Sequence, residues 1–108
     1  MDDVIKKLYD IAIERKQNPV EGSYTCYLFD KGIDKILKKC GEECSEVIIA
    51  AKNGDNSETV LEISDLLYHL TVLMADSGIT PEDVYAELEK RTHKTGNLKQ
   101  FHSVDKNS

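Results

Sequence analysis

Apolar residues recur along this chain at three- and four-residue intervals, the period of helices that each hide one face. From about Asp3 to Arg15, Val4, Ile5, Leu8, Ile11 and Ala12 form one stripe, which stops at Asn18-Pro19. Proline pushes the residue before it out of the helical region, so a boundary belongs there. Residues 17–27 hold Pro19, Gly22, Ser23 and Thr25 without a period and are expected to be irregular. A second helix is predicted from about Asp30 to Lys52, on Ile33, Ile36, Leu37, Cys40, Cys44, Val47, Ile48 and Ala51. Gly54 suits a helix C-terminus, and Asp55 with Glu58 has the layout of a cap for a third helix that ends before Gly78. Thr80-Pro81-Glu82-Asp83 opens a fourth, with threonine as cap, proline in the first turn and acids against the helix dipole. Residues 94–108 are polar and aperiodic and are expected to be a flexible tail. With no period-two strand and no repeat, the expected class is all-α: a single domain over residues 1–93, built as a bundle of about four helices.

The third helix is apolar over two sectors. Val60, Ile63, Leu66, Leu67, Leu70, Leu73 and Met74 make the broad one; Leu61, Tyr68 and Val72 lie across a polar strip of Glu62, Asp65 and His69. A helix apolar nearly all round is central in its fold or buried by a partner. In so short a chain the simplest partner is a second copy, so a homodimer is expected, with Leu61, Tyr68 or Val72 at or near its seam.

Composition narrows the setting. The sequence has 108 residues, one small domain, and a formal net charge of −6, which disfavours nucleic acid and anionic membrane as partners. Three cysteines without a C-x-x-C pair suit a reducing cytoplasm. There is no signal-peptide layout and no run approaching the roughly 20 apolar residues that span a bilayer.

Acids carry the candidate chemistry. Glu43 and Glu46 are three apart on the second helix, as are Glu62 and Asp65 on the third, so each pair shares a helix face. A helical hairpin would gather all four. Crowded carboxylates raise one another's pKa and are tolerable around a hard divalent cation, for which oxygen ligands suit Mg²⁺, with Mn²⁺ as a substitute. Glu42 points away from the apolar stripe, as a solvated residue or an outer base. Lys39, one turn before Glu43, could hold a phosphate beside the metal, with Lys35, Lys38 and Lys52 as weaker candidates. His69 follows Asp65 by one turn and reads best as a buried polar contact rather than a ligand. Cys40 and Cys44 are expected in the core.

The runs Lys31-Gly32-Ile33-Asp34-Lys35-Ile36-Leu37-Lys38-Lys39-Cys40-Gly41-Glu42-Glu43, Glu46 to Lys52, and Glu62-Ile63-Ser64-Asp65-Leu66-Leu67-Tyr68-His69-Leu70 resemble phosphoribosyl-ATP pyrophosphatase, a MazG-like all-α pyrophosphatase with an E-E-x-x-E…E-x-x-D motif. Ser23-Tyr24-Thr25 resembles the family's S-Y-T segment, and the likeness runs from about residue 4 to 93. It implies Mg²⁺-dependent hydrolysis of phosphoribosyl-ATP to phosphoribosyl-AMP and pyrophosphate, in histidine biosynthesis, on a homodimeric scaffold. Glu43, Glu46, Glu62 and Asp65 are then expected to hold the metal, and Glu42 to take a proton. Lys39 would stabilise charge on the phosphates. Ser23, Tyr24, Thr25, His69 and the lysines are expected to contact substrate. The chain is too short to include the cyclohydrolase domain to which this activity is often fused, so a monofunctional enzyme is expected. The rivals are a house-cleaning nucleoside triphosphate pyrophosphatase of the same superfamily and a non-enzymatic helical dimer.

Overall fold

The structure, a computed structural model, describes residues 3–94. These form five helices and no strand: α1 (Val4–Gln17), α2 (Tyr24–Lys31), α3 (Ile33–Lys52), α4 (Asn56–Ser77) and α5 (Pro81–Thr92). The expected tail lies, from residue 95 onward, outside the described residues.

Local chemistry sets most boundaries. Asp3 caps α1 by accepting from the Lys6 N–H at 3.0 Å, and the helix ends at Asn18, just before Pro19. Asp55 caps α4 through the Glu58 N–H, also at 3.0 Å. Gly78 closes α4 in the left-handed region, with φ 74°. Thr80 and Asp83 form a reciprocal capping box on α5 with Pro81 in its first turn, and the Tyr85 hydroxyl donates to Asp3 at 2.7 Å, tying α5 to the start of α1.

Two expected boundaries are corrected. Residues 17–27 are not irregular throughout, because Ser23 accepts from the Cys26 N–H at 3.2 Å and starts α2 at Tyr24. The predicted 30–52 helix is in turn broken at Gly32, whose φ of 91° and ψ of −174° end α2 and begin α3. That conformation is nearly exclusive to glycine. A Cβ at residue 32 would meet nothing within 4 Å, so Gly32→Ala probes backbone strain alone. It is expected to cost about 1–3 kcal/mol in urea unfolding, as residues forced into such regions do.

The three-residue turn after Lys52 folds α3 back on α4, and this hairpin is the spine of the protein. α1 packs on α4, and α2 lies against α3. Leu28 of α2, Ile36 and Cys40 of α3 and Val72 of α4 make the core, with Phe29, Tyr68, Leu70 and Leu73 packed around it. Val72 is therefore sealed inside one protomer and is not available to a dimer seam, correcting that expectation. Of the α4 sector expected to face a partner, α2 covers Tyr68 and Val72, while Leu61 stays 57% exposed. Cys44 is likewise exposed, not buried. The buried face of α3 runs through Ile36, Cys40, Glu43 and Ala50, leaving Ile33, Leu37, Cys44 and Ile48 uncovered.

Candidate metal centre

That rotation of α3 puts a carboxylate into the packed face of a helical hairpin. Glu43 is only 6% exposed. One carboxylate oxygen from each of Glu43, Glu62 and Asp65 lies within 4.8 Å of the others, drawn from α3 and from successive turns of α4. The Oε2 atoms of Glu43 and Glu62 are buried, with no hydrogen-bond partner among the described residues. Unsatisfied buried anions are costly. Glu62 registers the cost: a hydrogen bond shared with Glu46, loss of hydration and the nearby charges of Glu46 and Glu43 push its pKa up to about 7. A divalent cation would supply what both orphaned oxygens lack, and an all-oxygen donor set suits Mg²⁺ or Mn²⁺. The residues fit the group.

Glu46 stands beside Glu62 but is exposed, outside the trio of converging oxygens. Lys39 approaches from one side, with Nζ 3.7 Å from Glu43 Oε1 and 3.9 Å from Glu42 Oε2. Partial burial pulls the Lys39 pKa down, but Tyr24 and the acids Glu42, Glu43 and Glu46 outweigh it and hold the ammonium above its ordinary value. Glu42 itself is exposed at the rim.

Behind Asp65 sits a polar brace. A backbone carbonyl can only accept, so His69 Nδ1–H donates to the Asp65 carbonyl at 2.7 Å. His69 Nε2 is then free to accept from the Tyr24 hydroxyl, 2.9 Å away. His69 is buried in this role, as expected. The Thr25 and Tyr68 hydroxyls bond to each other, and Ser23 is occupied as the α2 cap. Of Ser23, Tyr24 and Thr25, Tyr24 is the most open, 44% exposed and stacked between Tyr27 and Tyr68 at centroid distances of 6.0 and 6.2 Å. Burial raises its phenol above the usual value.

The remaining lysines separate. Lys35 is half-buried over the Tyr27 ring, whereas Lys38 and Lys52 are exposed, Lys52 at the far end of α3. Tyr27 was missed by sequence reasoning. The signal was the Ser23 cap, which makes Tyr24 and Tyr27 neighbours on one helix face.

Comparison with known proteins gives the chain a family. A family model described as phosphoribosyl-ATP pyrophosphohydrolase matches residues 5–92. A phosphoribosyl-ATP pyrophosphatase of Streptococcus thermophilus is 55% identical over 95 residues, covering 88% of this chain and 91% of that protein. One from Clostridium novyi is 53% identical over 97 residues, covering 90% and 88%. The histidine biosynthesis bifunctional protein HisIE of Caldanaerobacter subterraneus is 59% identical over 92 residues, covering 85% of this chain and 45% of that protein. The chain belongs to the phosphoribosyl-ATP pyrophosphohydrolase family.

Proposed function

We propose that this protein hydrolyses phosphoribosyl-ATP to phosphoribosyl-AMP and pyrophosphate, a step of histidine biosynthesis, with Mg²⁺ as cofactor and Mn²⁺ as a substitute. The observation that carries the reading is the trio Glu43, Glu62 and Asp65 with its two orphaned buried oxygens, on a chain of this family. Those three would hold the cation, with Glu46 completing the set from the rim. Bound there, a divalent ion supplies positive charge to phosphoryl oxygens that otherwise repel an incoming nucleophile.

The chain's own groups do the rest. On this reading Lys39, 3.7 Å from Glu43, would turn to a phosphate oxygen once Glu43 is otherwise neutralised. On the same reading Glu42, exposed and one residue from Glu43, would take the proton from water. His69 and Tyr24 hold the backbone of Asp65 in place, so that ligand geometry is set before substrate arrives.

A panel of phosphoribosyl-ATP and ordinary nucleoside triphosphates, assayed for pyrophosphate release, tests the reading. A preference for an ordinary triphosphate would move the protein to the house-cleaning branch, and no turnover of any substrate with Mg²⁺ would leave a binding module. The sequence covers less than half of the bifunctional relative, and we assign to these residues the pyrophosphatase step alone. Among the described residues no helix is long and apolar enough to cross a membrane, and Cys26, Cys40 and Cys44 are free thiols. Both fit a cytoplasmic enzyme acting on a small nucleotide.

The working unit is, on this reading, a homodimer. Leu37, Ile48 and Ile49 on α3 and Val60, Leu61, Ile63 and Leu67 on α4 are each more than two-fifths exposed. Soluble monomers rarely leave such apolar surface in water. Light scattering at micromolar concentration is expected to give twice the chain mass, and Leu61→Glu to shift the equilibrium towards monomer. A stable, active monomer of the parent would refute the dimer.

A further inference from the structure

The hollow at the start of α2, about 480 Å³ and lined by Val20, Gly22, Ser23, Tyr24, Cys26, Tyr27 and Asp30, is not explained by the metal centre. It joins that centre through Tyr24, whose hydroxyl reaches His69 and, through it, the backbone of Asp65. Tyr24 stacks on Tyr27 with an interplanar angle of 22° and a centroid distance of 6.0 Å, so the two rings form one aromatic wall of the hollow. Both rings are more than two-fifths exposed. Two cations stand over Tyr27. Lys31 Nζ and Lys35 Nζ lie 5.8 and 5.9 Å from the centroid of the same Tyr27 ring. Lys31 ends α2 and Lys35 belongs to the first turns of α3, so the bend at Gly32 is what brings both to one ring. Neither is ion-paired with a carboxylate among the described residues, on a chain whose acids outnumber its bases by 20 to 14. Two ammonium groups at one ring offer a dianion two positive charges, and binding one would offset any repulsion between them.

We propose that Tyr27, Lys31 and Lys35 form the subsite for the phosphate monoester of the substrate's added ribose, and so set the preference for phosphoribosyl-ATP over ATP. The proposal rests on the functional reading above. That substrate is anionic at two ends: a triphosphate, and a phosphate monoester on the second sugar, with the purine between them. With the triphosphate at the carboxylates and Lys39, the base would lie against the exposed parts of the Tyr24 and Tyr27 rings, an apolar contact open to any purine. The monoester would then arrive at Lys31 and Lys35. Asp30, in the hollow, can accept from sugar hydroxyls.

The test is a cycle of protein and substrate. The parent and a Lys31→Ala/Lys35→Ala variant are assayed on phosphoribosyl-ATP and on the analogue lacking only the monoester phosphate. For the full substrate KM is expected to rise about 10- to 100-fold in the variant, the loss of one or two charge-assisted hydrogen bonds, with kcat within about twofold. For the analogue, KM should be equal in both proteins. Lys31→Arg/Lys35→Arg should keep most of the discrimination. An equal rise on both substrates, or no rise on either, overturns the subsite while leaving the reaction in place. A parent that turns over ordinary triphosphates but not phosphoribosyl-ATP overturns the functional reading, and the subsite with it.

Discussion

Replacing Glu62 by glutamine is expected to abolish metal-dependent turnover while making the metal-free protein more stable above neutral pH. The amide keeps the shape but not the charge, and it takes one of three converging oxygen ligands from the site. Turnover should fall at least about a hundredfold, the range seen when one charge-stabilising group leaves a preorganised site. The stability effect has the opposite sign. Glu62 titrates near 7 in the folded protein against an ordinary value of 4.5, so between those pH values the folded state holds a proton that the unfolded chain has released. Stability of the metal-free parent therefore falls as pH rises through that window and stays low above it. An amide at position 62 cannot ionise, so this part of the slope should vanish in the variant. Mg²⁺ should restore stability to the parent at pH 8, because a ligand that binds only the folded state stabilises it, and should do little for the variant. Urea unfolding at pH 5 and pH 8, with and without Mg²⁺, reads all four values. A variant that tracks the parent in every condition would remove Glu62 from the site.

Lys39→Ala is expected to separate catalysis from metal binding. Its ammonium lies 3.7 Å from Glu43, so its removal leaves Glu43 with less neutralising charge, and Mg²⁺ affinity by calorimetry should hold or rise. Turnover should nonetheless fall about 100- to 1,000-fold, or about 2.7–4 kcal/mol, because a cation at the phosphates acts on charge that develops in the transition state. Lys52→Ala is the comparison: Lys52 is exposed in the last turn of α3 and should change turnover little. Equal effects from the two variants would make Lys39 a surface residue and place the phosphate-binding cation elsewhere.

Most of the helices were legible because their ends are written in local chemistry. Pro19, Asp55, Gly78 and Thr80-Pro81 each stop or start a helix through their own backbone or side chain, whatever packs against them. The break at Gly32 was not legible, since the apolar period runs through it and glycine inside a helix costs only about 1 kcal/mol. Only the packing of α2 across α3 and α4 calls for the bend there. The acids divide in the same way. Spacing alone places Glu43 with Glu46 and Glu62 with Asp65 on shared helix faces, and the short turn between α3 and α4 brings the pairs together.

How α3 is rotated was a tertiary decision. Hydrophobicity favours burying Ile33, Leu37, Cys44 and Ile48, yet the protein buries the face that carries Glu43 and leaves those four residues uncovered. A sequence stripe records which residues avoid water, but not whether their own chain or another shields them. The cost of desolvating Glu43 depends on what converges on it. Its neighbours Glu62 and Asp65 come from another helix, so that balance exists only once the hairpin has closed.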